Sequence, residues 1–253
     1  MMKSTVKILV IVDLIFLCPS AVSAVGQTRY VEFRDSQGSF CLAQKDRLAT
    51  LYVDLQDHAG VVRAVKDLQA DMKRVTSRDP MVAHERAGLG INAVIVGTIG
   101  KSPIIDALIR DRKIDVTGVV GKWESFLIEV VPQPLPGVAR GLVIAGSDKR
   151  GTIYGVYDLS GQIGVSPWYW WADVPVKRNK ALFVKAGRYV EGPPAVKYRG
   201  IFLNDEEPAL GRWAVEKYGG FNHEFYEKVF ELILRMKGNY LWPAMWWASF
   251  NSD

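Results

Sequence analysis

The feature that most constrains the fold is a strand, a helix and a second strand in the closing segment of the chain. Tyr198–Leu203 is an apolar run with strand propensity, Asn222 is a favoured helix N-cap, Gly238 provides a helix stop, and Asn239–Trp242 returns as a strand. The helix in between carries apolar side chains at helical spacing, namely Phe225, Val229, Leu232, Ile233 and Met236. One β–α–β unit of this kind cannot cover both faces of its own sheet.

The residues that follow this first strand are too few for a complete barrel. A (β/α)₈ barrel takes about 250 residues by itself, and the strand begins only at Tyr198. We therefore expect residues 193–253 to be the first βαβ unit of a truncated (β/α)₈ TIM barrel. We expect a polar loop from Asn204 to Pro208, followed by a longer connection that reaches Gly219 and Gly220.

The preceding part of the chain also alternates strands and helices. The predicted strands are Ala49–Val53, Ala93–Val96, Phe126–Val131 and Leu142–Ala145, and the predicted helices are Gly60–Thr76, Pro103–Arg110 and a segment from Thr152 to about Gln162. Such alternation favours an N-terminal α/β sandwich domain ahead of the barrel unit. The overall fold class is therefore α/β.

Aromatic usage indicates where the two domains meet. All eight tryptophans lie at or beyond Trp123, and the stretch Glu191–Pro194 contains a glycine and two prolines. We place the domains at residues 25–192 and 193–253. The run Trp168–Trp171 is predicted to pack the two domains together, with contact to a sugar as the alternative.

The first 24 residues have the pattern of a cleaved export signal. Lys3 and Lys7 form a basic start, Ile8–Leu17 is mostly apolar and too short to span a bilayer, and Val22–Ala24 offers small residues for cleavage. A retained anchor, including a lipid anchor on Cys18, is the alternative. We expect a secreted or periplasmic protein with no membrane span once the signal is removed.

Several classes of function have no sequence support. The net charge of +5 is spread along the chain without a Lys/Arg block, so nucleic-acid binding is not predicted. No glycine-rich nucleotide motif follows a strand. Signal removal leaves Cys41 as the single cysteine, so neither an intramolecular disulfide nor a CxxC-type metal site is expected, and the three histidines show no metal-ligand spacing.

An acidic cluster follows the first predicted barrel strand directly. Asn204 is followed by Asp205, Glu206 and Glu207, at the strand end where parallel barrels place catalytic residues. Sugar hydrolysis needs two carboxyl groups, but neighbours such as Asp205 and Glu206 point apart on extended backbone. One of them is a candidate catalytic group whose partner would come from a later strand. The alternative is a solvated acidic loop.

Three further candidate groups concern binding. Trp246 and Trp247 follow the second strand, where an indole would stack on a sugar face, although core packing is the alternative. Lys149 and Arg150 stand at a helix N-terminus that would attract a uronate carboxylate, unless they are simply a solvated pair at a glycine turn. His223 lies in the first turn of the last helix, facing the same end as Asp205.

Five motifs together resemble glycoside hydrolase family 115, whose members are xylan α-1,2-glucuronidases. They are Gly146–Leu159, Ser166–Pro175, Arg199–Pro208, Tyr218–Lys228 and Tyr240–Trp246. The resemblance implies a multidomain enzyme that inverts the sugar carbon, uses no metal or organic cofactor, and removes (4-O-methyl-)α-D-glucuronic acid from glucuronoxylan.

The resemblance also assigns site residues. Asn204 and Asp205 match active-site positions, with Asp205 orienting substrate or water, and Glu206 matches as well. Glu207 and the tandem Trp246–Trp247 depart from the family pattern. The main catalytic acid would lie on a later strand, so the chain alone would be inactive. The alternatives are a non-catalytic carbohydrate-binding module and another exo-glycosidase with the same two-domain front, such as a hexosaminidase-like enzyme.

Overall fold

The computed structural model describes residues 28–251 and 253, and the predicted export signal lies outside this range. The strands are β1 (Val31–Glu32), β2 (Phe40–Gln44), β3 (Arg47–Leu48), β4 (Thr50–Val53), β5 (Val82–Ala83), β6 (Asn92–Thr98), β7 (Phe126–Leu135), β8 (Val138–Gly146), β9 (Ala181–Val184), β10 (Arg188–Glu191), β11 (Gly200–Phe202) and β12 (Tyr240–Trp242). The helices are α1 (Ala59–Thr76), α2 (Pro103–Arg110), α3 (Lys149–Gln162), α4 (Leu210–Tyr218) and α5 (His223–Arg235). The fold is mixed α/β with several sheets, as the class predicted from the sequence requires.

Six strands form the largest sheet, in the order β10-β7-β8-β6-β4-β5. From β8 to β5 neighbouring strands are parallel, whereas β7 and β10 pair antiparallel. Residues alternate between the two faces of the sheet, so Val94 and Val96 pack in one core with α1 and α3, while Ala93 and Ile95 pack in a second core with α2. Both faces of this sheet are therefore covered by helices.

The helix α1 shows why the sequence pattern was informative. Its buried residues Val61, Val65, Leu68, Met72 and Val75 lie on the one apolar stripe that faces the sheet. The predicted helix Gly60–Thr76 is thus confirmed, and Pro103 begins α2 as expected. A smaller sheet with the order β1-β9-β2-β3 adds Phe40, Leu42 and other residues to the same core, and its short strands were not predicted.

The closing segment forms a second structural unit. β11 and β12 are parallel neighbours, with Phe202 opposite Trp242, and α4 and α5 connect them. Ile201 and Leu241 pack against the helices, in a core that includes Phe225. The opposite face of the two strands exposes Phe202 and Trp242, whose rings are 5.4 Å apart.

The segment differs from the sequence analysis in two ways. The long connection after β11 contains helix α4, which the sequence analysis did not predict. In addition, Gly238 does not supply a left-handed stop for α5: the helix ends at Arg235, and Lys237 takes the positive φ of 56°. A Cβ at Gly238 would lie 2.9 Å from Ile233 Cγ2 and 3.0 Å from the Arg199 carbonyl oxygen. Close packing therefore explains this glycine.

The run Trp168–Trp171 packs against the closing segment, as predicted. The ring of Trp171 lies 5.3 Å from that of Trp213 in α4 and 6.1 Å from that of Phe225 in α5. The Tyr169 hydroxyl donates a hydrogen bond to Glu231 of α5 at 3.1 Å. Within residues 28–251, no helix has both the length and the apolar character needed to cross a bilayer.

Candidate functional site

The loops that follow β11 and β12 meet at the carboxyl ends of these two parallel strands. In α/β folds this is the end where loops carry binding and catalytic groups, because the framework below it is fixed by the sheet. The first loop begins at Leu203 and contains Asn204, Asp205 and Glu206, and the second contains Trp246 and Trp247. The structure brings these predicted residues together.

The carboxylate of Asp205 is the centre of this meeting point. Its side chain is fully buried and accepts backbone N–H groups from three consecutive residues of the second loop. Trp246 donates to Oδ1 at 3.2 Å, and both Trp247 and Ala248 donate to Oδ2 at 2.8 Å. Both carboxylate oxygens are thus engaged within the protein, so Asp205 contacts the loop and does not face solvent.

These hydrogen bonds also determine the charge state of Asp205. Burial acts to raise the pKa of this carboxyl, but the N–H groups of Ala248 and Trp247 outweigh it and hold the pKa below its ordinary value. Asp205 is therefore an anion at neutral pH. A carboxylate of this kind anchors a loop well and is poorly suited to donate a proton.

The two tryptophans of the second loop differ in their surroundings. The indole N–H of Trp247 donates to the Asp205 carbonyl oxygen at 2.6 Å, and its ring meets that of Phe221 edge-on at 5.4 Å. Trp246 has no ring partner among the described residues, and 80% of its surface is exposed, against 55% for Trp247. Trp247 is consequently tied to the protein, and Trp246 projects from it.

Two polar groups of the first loop remain open to a ligand. Glu206 is exposed in the loop that contains Asp205. Asn204 is half-buried, and its Oδ1 atom is buried with no hydrogen-bond partner among the described residues. A buried carbonyl oxygen of this kind is costly unless a donor reaches it, and a sugar hydroxyl is a suitable donor.

His223 lies at the N-terminus of α5, which is at the same end of the unit as the two loops. Its ring is exposed, and Nδ1 lies 2.7 Å from an Asp253 carboxylate oxygen. The hydrogen bond to Asp253 raises the pKa of His223 above its ordinary value. Asn222 caps this helix as predicted, with its side chain accepting the N–H of Phe225.

Lys149 and Arg150 lie at the opposite end of β11. Arg150 Nε is 2.5 Å from Glu124, whose other carboxylate oxygen is 2.5 Å from Arg199, the residue before β11. About 13 Å of extended chain separates residue 199 from residue 203, where the acidic loop begins. Lys149 is exposed. The structure therefore does not bring the basic pair to Asp205.

Sequence reasoning missed two residues that shape the site. Gly211, in α4, packs where a Cβ would lie 2.8 Å from Glu207 Oε1, 2.9 Å from the Asp205 carbonyl oxygen and 3.1 Å from the Trp247 ring. Phe221 supports the other side of Trp247. The apolar spacing of Leu210, Trp213, Ala214 and Tyr218 was the available signal for α4.

Within residues 28–251 and 253, no group of three or more His, Cys, Asp or Glu side chains is arranged to hold a metal ion.

Comparison with known proteins shows which protein family this chain resembles. Residues 191–253 match the family model for glycosyl hydrolase family 115. The solved structure of BtGH115A, a family GH115 4-O-methyl-alpha-glucuronidase with specificity for decorated arabinogalactans, matches with a TM-score of 0.67 and 33% identity. The match covers 81% of this chain and 26% of that chain, so this chain spans about a quarter of the relative's length.

A second solved structure, a mutant Streptomyces plicatus beta-hexosaminidase bound to its product GlcNAc, matches at 16% identity with a TM-score of 0.45. That match covers 80% of this chain and 30% of the other. A search of curated protein sequences gave no match. The chain belongs to glycoside hydrolase family 115.

Proposed function

We propose that this chain is the N-terminal part of an α-glucuronidase that removes (4-O-methyl-)α-D-glucuronic acid side groups from a polysaccharide by inverting hydrolysis. Family membership and the 4-O-methyl-alpha-glucuronidase activity of the solved relative support this proposal. The observation that carries it is the meeting of the Asp205 and Trp246 loops at the carboxyl ends of β11 and β12.

The architectural part of the proposal is that β11, α5 and β12 form the first βαβ unit of a (β/α)₈ barrel. Parallel pairing of β11 with β12 supports it, as does the packing of the helices on one face only. The other face exposes the rings of Phe202 and Trp242, which would point into the interior of a closed barrel. The unit would begin at residue 193, after an α/β sandwich domain of residues 25–192.

Glu206 is the proposed catalytic carboxylate of this segment, with Asn204 binding a sugar hydroxyl. An inverting glycosidase requires two carboxyl groups about 6.5–9.5 Å apart. Asp205 does not supply a free one, because both its oxygens accept backbone N–H groups. The second group would come from a later strand of the barrel, so the 253-residue chain alone would not turn over substrate.

The proposed polysaccharide is glucuronoxylan, and the specificity of the solved relative makes decorated arabinogalactan the comparison substrate. An extracellular polysaccharide as substrate would fit the export signal that the first 24 residues predict. We therefore propose a secreted or periplasmic location.

The test measures release of 4-O-methylglucuronic acid from each polymer by the full-length gene product. Glu206→Gln should reduce kcat by a factor of about 10²–10⁴, because it removes a carboxylate from general acid–base work. The matched control is Glu216→Gln on the exposed side of α4, which should leave the rate unchanged. An unchanged rate in Glu206→Gln would remove Glu206 from the mechanism. Binding of xylan without release of the acid would favour a carbohydrate-binding module instead.

A further inference from the structure

The buried carboxylate of Asp205 has a role that differs from catalysis. Three consecutive backbone N–H groups, from Trp246, Trp247 and Ala248, converge on it at 2.8–3.2 Å. Charge-assisted hydrogen bonds of this kind are roughly twice as strong as neutral ones. Because Asp205 follows β11 and the three donors follow β12, this one side chain fixes the second loop to the end of the neighbouring strand.

The indole of Trp247 strengthens the same attachment. Its N–H is satisfied by the Asp205 carbonyl oxygen at 2.6 Å, its ring edge faces Phe221, and it lies over Gly211. An indole has a single donor, so Trp247 has no polar group left for a ligand. Its contacts are those of an anchor.

The indole of Trp246 is left facing solvent by this arrangement. Its backbone is held by Asp205, yet 80% of the residue is exposed. Exposed large apolar surface on a fixed backbone is typical of binding sites, since burying an indole gives more area than any other side chain and its face stacks on flat apolar surfaces. The neighbouring Met245 is also 55% exposed, which extends the apolar surface.

We propose that Asp205 is a positioning residue, which acts through the loop of residues 245–248 to hold the Trp246 indole as a stacking surface for the sugar, with Trp247 as its internal anchor. This inference rests on the proposed function for its ligand. The part of the proposal that concerns loop positioning rests on the hydrogen bonds of Asp205 alone. The proposal also assigns sugar stacking to Trp246 rather than Trp247, a choice that the sequence left open.

The test uses the ¹⁵N–¹H spectrum of the tryptophan indoles in the 253-residue chain, assigned with single Trp→Phe variants. Asp205→Asn should shift the Trp246 and Trp247 indole signals and leave that of Trp123, which lies outside the loop, unchanged. In addition, the Trp247 indole proton should exchange with solvent more slowly than that of Trp246. Unchanged loop signals in Asp205→Asn would overturn the positioning role. These measurements need no ligand.

Binding is measured by titrating the chain with a xylo-oligosaccharide that carries a 4-O-methylglucuronic acid side group. Trp246→Ala should weaken binding by roughly tenfold, and Trp247→Phe by less, because it keeps an aromatic ring against Phe221 and loses the hydrogen bond to the Asp205 carbonyl oxygen and part of the ring area. Stronger loss in Trp247→Phe than in Trp246→Ala would overturn the assignment. This comparison remains decisive if Asp205→Asn does not fold.

A double-mutant cycle separates positioning from direct contact. If Asp205 acts through Trp246, Asp205→Asn should weaken binding in the parent chain but have little further effect in the Trp246→Ala background. Equal losses in both backgrounds would mean that Asp205 contacts the sugar itself. Absence of binding by the parent chain at millimolar sugar would count against the sugar-binding half of the inference and against the proposed function of this loop. The indole spectra would still decide the loop-holding half.

Discussion

Glu124 and Arg199 form an ion pair at 2.5 Å that joins the loop before β7 to the residue before β11. The Glu124 carboxylate is fully buried, and it also accepts hydrogen bonds from Arg150 at 2.5 Å and from Asn239 at 2.9 Å. Arg199 and Asn239 precede β11 and β12, respectively. One buried carboxylate therefore holds the amino ends of both parallel strands against the large sheet domain, while Asp205 joins their carboxyl ends.

Replacing Glu124 by glutamine should destabilise the protein by roughly 2–4 kcal/mol. The buried carboxylate would lose its charge and leave two arginines facing each other, but both arginines are partly exposed, so the cost falls below that of a fully buried pair. Urea unfolding followed by tryptophan fluorescence measures the change. The exposed Glu216→Gln is the control and should shift the free energy by less than about 0.5 kcal/mol. A similar small shift in Glu124→Gln would contradict this role.

The contribution of Glu124 should also depend on pH in a defined direction. Burial acts to raise the pKa of Glu124, but hydrogen bonds from Asn239, Arg199 and Arg150 lower it below the ordinary 4.5. A folded-state pKa below the unfolded value stabilises the fold above pH 4.5, and the effect disappears as the pH falls through the lowered pKa. The difference in free energy of unfolding between the parent and Glu124→Gln should therefore be largest at pH 7 and become smaller in acid. A difference that increased in acid would show that the pKa of Glu124 is raised by folding and not lowered.

A second ion pair links helices α1 and α5. Arg235 is 2% exposed and binds Asp71 at 2.7 Å and Glu231 at 2.8 Å. Asp71→Asn should cost roughly 2–4 kcal/mol, because it leaves a buried guanidinium with one charged partner. In a double-mutant cycle with Arg235→Met, the two changes should be strongly non-additive. Arg63→Met provides the control, because its pair with Glu227 is exposed and should contribute less than about 1 kcal/mol.

The sequence predicted the helices that are recognisable from their own residues, through the spacing of apolar side chains or a residue typical of a helix start. The stripe of α1 and the proline that begins α2 were sufficient because local propensity and burial agree there. The strands β1, β2, β3 and β9 were missed because they have at most five residues and because, apart from the β2–β3 hairpin, they pair with partners far away in the sequence. Helix α4 was missed because Gly211 interrupts an otherwise helical spacing.

The candidate site was predicted in composition but not in geometry. The acidic loop and the tryptophan loop were singled out because they follow strands, and parallel pairing brings them together. The direction of the Asp205 side chain could not be predicted, because it depends on backbone N–H groups 41–43 residues away. In the same way, the position of Arg150 depends on its ion pair with Glu124, and nothing in the sequence pattern indicates that these two residues are partners.

His223 offers a measurement of the electrostatics at the loop end. Its hydrogen bond with Asp253 raises its pKa above the ordinary 6.5, so the pairing is complete between pH 6.5 and the lowered pKa of Asp253, and it is lost as the pH rises through the raised pKa of His223. An NMR titration of the His223 ring should show its midpoint above 6.5, and Asp253→Asn should lower that midpoint. The exposed and remote Asp46→Asn should leave it unchanged. A midpoint that is insensitive to Asp253→Asn would show that the pair does not form in solution.

Gly211 tests how closely α4 packs under the Asp205 and Trp247 contacts. A Cβ there would approach the Asp205 carbonyl oxygen to 2.9 Å and the Trp247 ring to 3.1 Å, so Gly211→Ala should destabilise the protein by about 1–3 kcal/mol and shift the Trp247 indole signal. The matched control is Gly161→Ala in α3, where no atom lies within 4 Å of the new Cβ. That change should stabilise the protein by about 0.5–1 kcal/mol, because alanine favours the helix. Equal effects at both glycines would mean that helix propensity, and not packing beneath Trp247, governs position 211.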